Sequence, residues 1–276
     1  MKIRIVADSS ANLQTTSDNS IVSVPLKIVT NQKEYIDDEN LDVKVMTEDL
    51  AAYKGTSGSS CPAVADWLDA FGDAEWVFGI TITSNLSGSY NSAMVAKETY
   101  EAEHPGSRVH IIDSLSTGPE MKIVIEKIQE FLAQGKEFDE ICELIQAYQK
   151  HTFLLFCLKS LTNLANNGRV STAVAKIAGI LGIHVVGRAS NVGTLEQKDK
   201  ARGERKALHA IVKNMKELGY KGGKVLIDHC FNEAAAAQVK ELIKQEYADA
   251  DIRISTTGGL CSFYAERGGL LIGFEG

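Results

Sequence analysis

Residues 76–93, Trp76-Val77-Phe78-Gly79-Ile80-Thr81-Ile82-Thr83-Ser84-Asn85-Leu86-Ser87-Gly88-Ser89-Tyr90-Asn91-Ser92-Ala93, run from an apolar stretch into a Ser/Thr/Gly turn and then into helical periodicity. The segment Val77 to Ile82 fits a buried parallel strand, and Thr83 to Gly88 supplies hydroxyls and a pliable backbone. A helix beginning near Tyr90 leaves its first N–H groups without intrahelical partners. They can converge with the Ser87 hydroxyl on an anion above the carboxyl end of the strand. Ser87 fits a second role equally well, a plain N-cap that ties down its own helix.

The same punctuation recurs on both sides of this stretch. Lys2 to Ala7 alternates apolar residues and breaks at Asp8-Ser9-Ser10, and Arg108 to Ile112 breaks at Asp113-Ser114. Strands ending in hydroxyl-rich loops, each followed by helical sequence, place those loops on one edge of a parallel sheet, where ligands bind. Ile21 to Val29 reads as a further strand, with Pro25 marking an edge or an early end to pairing. Tyr35 to Asp38 reads as a polar turn and Asn40 to Ala52 as a helix. Lys54 to Pro62, rich in Ser, Thr and Gly, reads as irregular and leads into a helix from Ala63 to Phe71. Further helices are expected at Glu120 to Ala133 and Phe138 to Lys150. The first 150 residues are therefore expected to form an α/β domain with a doubly wound, mostly parallel sheet.

From Thr152 the texture changes. Thr152 to Leu158 is a buried strand, Ser160 to Ala165 a short helix stopped by Asn166-Asn167-Gly168, and Thr172 to Leu181 a small-residue helix. A hairpin around Ser190, a long helix from Lys200 to Leu218, and strands at Lys224 to His229, Ile252 to Thr256 and Leu270 to Phe274 complete the chain, with a helix from Glu233 to Glu246. Residues 151–276 are expected to form an α+β domain with a mixed sheet.

Composition excludes several classes. With 44% hydrophobic and 24% charged residues over 276 positions, the chain has material for two ordinary cores. No segment approaches a membrane span and no signal peptide is expected. A net charge of -7 without a basic stripe argues against nucleic acid, and the run Lys198 to Lys206 reads as a solvated helix face. Cys61, Cys142, Cys157, Cys230 and Cys261 are widely spaced, without a CxxC pair, which points to a reducing cytoplasm and away from disulfides or zinc. Neither a Walker loop nor a dinucleotide fingerprint is present, and no cofactor or metal is implied.

Ser87 sits where a hydrolase nucleophile could sit, but its flanks lack the Gly-x-Ser-x-Gly elbow. His110 and His229 read as ordinary partly buried histidines, Cys61 as a small packed residue, and Asp8 and Asp113 as turn caps. What remains is a set of neutral donors: Thr56 and Ser57 in one loop, Ser87 and the Gly88 amide in another. Hydroxyl and amide donors around one pair of acidic oxygens can hold a carboxylate without a counter-cation.

The motifs Val6 to Leu13, Val24-Pro25-Leu26 with Tyr35 to Asp38, Thr56-Ser57 ahead of Ser60, Ser84 to Tyr90, Asp113-Ser114, Leu161 to Ser171 with Asn-Gly-Arg-Val, and Lys200 to Leu208 occur in an order and spacing that resemble the DegV family. These are bacterial fatty-acid-binding proteins of the FakB type. The resemblance runs from the first strand to the last. It implies a non-catalytic carrier that buries one long-chain fatty acid between its domains and offers the carboxyl group to a separate fatty acid kinase for acyl-phosphate formation. A transient membrane-surface contact would suit such a carrier. The head-group positions of the family fall on Thr56 and on Ser87 with Gly88, Ser57 being included as a neighbour. The partner-facing arginine falls on Arg202, and Arg169 matches the Gly-Arg motif. The family closes with Gly-Pro, a histidine and Gly-Pro-Gly, whereas this chain reads Gly258 to Gly269 without proline, and the histidine position falls on Tyr264. A phenol still donates a hydrogen bond to a carboxylate, but it does not exchange a proton near neutrality as imidazole does. The alternative from another class is a small-molecule esterase using Ser87.

Overall fold

In the computed structural model, which describes residues 1–171 and 182–276, the chain builds three sheets. The first contains β1 (Ile3–Asp8), β2 (Ile21–Val24), β6 (Trp76–Thr81) and β7 (Arg108–Asp113), all parallel, in the order β2-β1-β6-β7. Both faces of such a sheet must be covered. Helices α2 (Val64–Phe71) and α3 (Ser89–Glu103) cover one face through Trp67, Phe71 and Tyr100. Helices α4 (Pro119–Ala133) and α5 (Phe138–Tyr148) cover the other through Met121, Ile125 and Ile141. The strand order reverses direction between β1 and β6, so the loops after Asp8 and Thr81 open the crevice in which α/β sheets bind ligands.

Pro25 divides the expected Ile21 to Val29 strand between two sheets. Having no N–H, it leaves the parallel ladder, and the next amide, Leu26, donates to Ser9 Oγ at 3.0 Å. The chain then starts a small antiparallel sheet of β3 (Lys27–Thr30), β4 (Glu34–Ile36) and β5 (Ser57–Ser60), ordered β4-β3-β5. Two expectations change here. Tyr35, placed in a polar turn by sequence, is buried in β4, and the irregular Lys54 to Pro62 cluster contains a strand. Ser57 to Ser60 have little intrinsic β preference, but β3 offers an open edge that pairs Ile28 with Ser59 and Thr30 with Ser57. This sheet packs with α1 (Val43–Ala52) around Ile28, Tyr35, Met46 and Phe263.

The third sheet is mixed, in the order β10-β9-β8-β13-β11-β12, from β8 (Thr152–Leu158), β9 (Ile183–Ala189), β10 (Leu195–Arg202), β11 (Val225–His229), β12 (Ile252–Thr256) and β13 (Leu270–Glu275). Only β11 and β12 pair in parallel. Alternation along β8 sends Leu155 and Cys157 toward a core completed by α7 (Glu204–Glu217) and α8 (Glu233–Lys244). Leu154, Phe156 and Leu158 face the opposite way, with α6 (Thr162–Asn166) and α9 (Gly259–Ala265). The long helix expected from Lys200 starts instead at Glu204. Lys198 to Arg202 belong to β10, held by pairing with β9, and are not a helix face. Helix α9 was not anticipated in the glycine-rich tail, and the helix expected over 172–181 lies outside the described residues.

Helix α4 ties the parallel and mixed sheets together. A Cβ on Gly273 of β13 would lie 2.6 Å from Glu120 N and 2.6 Å from Pro119 C, so only glycine lets the helix start cross the strand this closely. The Glu120 side chain is buried there and accepts from Thr152 Oγ1 at 2.8 Å. Burial pushes its carboxyl up to about 7, against the opposing hydrogen bond of Thr152. A carboxyl raised on folding contributes stability fully below its unfolded value, near ~4.5, and that contribution is lost as pH rises through the folded value. Glu120→Gln is therefore expected to be more stable than the parent at pH 8, by about 1–3 kcal/mol, with the difference vanishing below about pH 4.5. Urea unfolding at the two pH values measures it, and an unchanged difference across them would contradict the assignment.

Candidate functional site

Two buried carboxylates, Asp8 and Asp37, pin the loops that build the crevice. After β1, the fully buried Asp8 carboxylate accepts from Ile82 N at 2.8 Å and from Ser89 Oγ at 2.6 Å, and Ser10 Oγ also donates to it. Burial holds its carboxyl above the ordinary range, and the Ser10 and Ser89 bonds oppose that rise. Asp8 thus clamps both ends of the loop that carries Ser87. The turn between β9 and β10 holds the same loop from outside: Thr83 Oγ1 donates to Gly193 O at 2.9 Å and Asn85 Nδ2 donates to Val192 O.

Asp37 pins the opposite wall. Its carboxylate, also raised by burial, accepts from Ser9 Oγ at 2.9 Å and from the amides of Gly259 and Leu260 at 2.6 and 2.9 Å. These are the first amides of α9, so Asp37 seats the helix that carries Tyr264. Arg169 follows α6, where its amide donates to Leu164 O at 2.8 Å. Its Nε donates to Leu86 O at 3.3 Å, and its guanidinium lies 5.7 Å from the Tyr264 ring centroid, a cation–π arrangement. The Tyr264 hydroxyl and Ser59 Oγ are hydrogen-bonded at 2.7 Å.

These groups line a cavity between the layers that is open on one side, with about 670 Å³ of empty space when its mouth is included. Ser59, Ser87, Thr117, Arg169 and Tyr264 are its polar lining. Leu154, Phe156, Leu158 and Leu271 from the mixed sheet form an apolar wall, with Leu26 and Ile82 from the other layers. Among the described residues, a mostly apolar lining with several hydroxyls and the Arg169 guanidinium suits an amphiphile with an acidic head.

Of the residues singled out in the sequence, Ser87, Arg169 and Tyr264 come together in this cavity. Ser87 Oγ also accepts from Ser89 N at 3.3 Å, a contact just outside the start of α3, whose N-cap is Gly88 and not Ser87. Gly88 is the N-cap of α3 and is exposed; a Cβ placed on it would lie 3.2 Å from Cys61 Sγ. Thr56 and Ser57 lie outside the lining. Thr56 is exposed, and the Ser57 carbonyl accepts from Asn167 Nδ2 at 3.2 Å. The β5 register brings Ser59 to the cavity in their stead. Arg202 ends β10 on the surface, exposed and away from the lining.

Ser87 has no histidine among the described residues that line its cavity. His110 faces a separate cleft, and its imidazole is held below its ordinary range by burial and by Lys97. The His229 ring accepts from Asn232 N at 3.3 Å. Among the described residues no cluster of His, Cys, Asp and Glu has the makings of a metal site, and no helix is long and apolar enough to cross a membrane.

The model of a family described as "Uncharacterised protein, DegV family" matches residues 2–275. The chain belongs to the DegV family. A DegV domain-containing protein of Streptococcus pneumoniae is 43% identical over 279 aligned residues, covering 100% of this chain and 99% of the relative. A DegV family protein from Eubacterium eligens, solved loaded with heptadecanoic acid, superposes with a TM-score of 0.96 at 46% identity, covering 99% of each chain. The S. pneumoniae Fatty Acid Kinase (Fak) B3 protein, solved loaded with linoleic acid, gives 0.97 at 43% identity over 100% of this chain and 99% of that one.

Sequence reasoning missed Ser59 and Asp37 in this DegV chain. Had Ser57 to Ser60 been read with a period of two, Ser59 would have stood beside Ser57 as a candidate, but the Ser-Gly composition hides the strand. Asp37 was visible only as part of a turn, because the amides it holds are 222 and 223 positions away.

Proposed function

We propose that this DegV protein is a non-catalytic carrier that binds one long-chain fatty acid in the interlayer cavity and presents its carboxyl group to a separate fatty acid kinase for acyl-phosphate formation. The observation that carries the reading is the cavity itself, lined mostly by apolar side chains with Ser59, Ser87, Arg169 and Tyr264 among them. The fatty-acid-loaded relatives in Eubacterium eligens and Streptococcus pneumoniae support it, and the name of the latter supports the kinase as partner. Ser87, Ser59 and Tyr264 donate to the carboxylate, and Arg169 supplies the nearby positive charge. Thr56, Ser57 and Gly88 stay in the proposal as neighbours of these donors. Residues 1–150 provide the Ser/Thr loops, and residues 151–276 cover the tail. Exposed Arg202 fits a partner contact, where rim charges steer encounter. Five cysteines without a disulfide among them support a reducing, cytoplasmic setting.

Denaturing the purified protein and analysing the extract by mass spectrometry is expected to release a long-chain acid. A protein that yields none and also fails to take up added oleate or palmitate rules the carrier out. Tyr264→Phe, which removes the bond to Ser59, is expected to keep the fold and weaken binding by about 2- to 10-fold, as one net hydrogen bond is worth about 0.5–1.5 kcal/mol. Competition with a fluorescent fatty acid measures the change.

A further inference from the structure

Phe156 sits at the centre of the mixed sheet, on β8, with β9 on one side and β13 on the other. Its neighbours in register are Gly187 on β9 and Leu271 on β13. The ring is nearly fully buried and forms part of the cavity wall. Leucine fills one flank, so the ring leans over the other, onto glycine. A Cβ on Gly187 would lie 2.3 Å from Phe156 Cζ and 2.6 Å from its Cε2. Real Cβ atoms do not approach carbon so closely, so the ring occupies the space that any other residue at 187 would fill. Gly187 shows no left-handed backbone, which leaves space, for the ring and for the Glu196 carbonyl oxygen, as the demand on this position.

We infer that Gly187 and Phe156 together set how much acyl tail the cavity admits: the missing side chain at 187 lets the ring lie flat on the sheet and clears the volume above it. The inference rests on the proposed carrier function. A methyl group at 187 has two obstacles, the ring and the Glu196 carbonyl oxygen of β10, which would be 2.6 Å away. The carbonyl belongs to a paired strand, whereas the ring can rotate, and the open direction for it is the cavity. The ring then takes space from the tail. Removing the ring does the opposite. Each methylene that gains or loses burial changes affinity about fourfold, corresponding to about 0.8 kcal/mol.

The test uses the full chain with saturated acids of increasing length, measured by competition with one fluorescent fatty acid, alongside thermal melts. Phe156→Leu and Phe156→Ala are expected to shift the preferred length upward, with the longest acids gaining at least fourfold over the shortest. Gly187→Ala is expected to lose at least tenfold on the longest acids while short ones bind within about twofold of the parent. The double variant Gly187→Ala with Phe156→Leu is expected to recover the long acids, because the evicted ring is gone. Damage to strand pairing by the new methyl group would not be rescued in this way. Folded variants with the parent's length profile, or a double variant no better than Gly187→Ala, overturn the inference while leaving the carrier function intact. A parent protein that binds no acid of any length overturns both.

Discussion

Lys122→Met is expected to destabilise the protein by about 3–5 kcal/mol, the cost of leaving a buried carboxylate without its cation. The Lys122 ammonium, on α4, lies 2.9 Å from both oxygens of Asp228 on β11, and the Asp228 side chain is fully buried. Ser255 Oγ donates to the same carboxylate at 2.5 Å and Asn12 Nδ2 at 2.7 Å, and Asn12 Oδ1 accepts from Gly258 N at 2.8 Å. One ion pair thus joins the loop after β1, helix α4, two strands of the mixed sheet and the approach to α9. Neutral donors cannot replace the lost charge, so the Asp228 carboxylate is left buried without a counter-charge. The double variant Lys122→Met with Asp228→Leu is expected to recover much of the loss, since two apolar groups of similar volume leave no orphan behind. Urea unfolding of the parent and both variants settles the point. A single variant within about 0.5 kcal/mol of the parent would show that the pair contributes nothing.

Asp37→Ala is expected to cost about 3 kcal/mol and to impair ligand retention together with stability. Three donors, Ser9 Oγ and the amides of Gly259 and Leu260, would lose their acceptor in a buried place. Each unsatisfied buried donor costs about 1–3 kcal/mol, partly offset where the backbone relaxes. The loss falls on α9, whose Tyr264 lines the cavity. Hydrogen exchange is therefore expected to rise in residues 259–265 before it rises in the parallel sheet. Asp37→Asn is expected to recover only part of the loss, because an amide turns a donor toward donors. Uniform exchange across the chain would argue that Asp37 merely supports the fold and does not seat α9 in particular.

How much of this could be seen beforehand differs by element. The strand from Trp76 was legible because a parallel strand covered on both faces must be apolar, and the strand from Arg108 because its apolar residues end abruptly at Asp113-Ser114. Ser87 was legible because strand-to-helix turns in such sheets gather at one edge. The strand Ser57 to Ser60 was not, since its only reason to be extended is the edge of β3, some thirty positions earlier. The start of α7 was misplaced for a related reason: Lys198 to Arg202 carry charges compatible with either structure, and pairing with Ile183 to Val186 decides for a strand.

The sequence by itself determined the α/β class, the change of texture near Thr152, the family and the Ser87 turn. All of these are written in local periodicity and in short motifs with fixed spacing. Only the tertiary structure decided which hydroxyl of the Thr56 to Ser60 loop faces the cavity, that Tyr264 bonds to Ser59, that Asp37 seats α9, and that Phe156 lies on Gly187. Those facts depend on register between strands and on contacts between residues as many as 223 positions apart, and a one-residue shift in register turns every side chain to the other face.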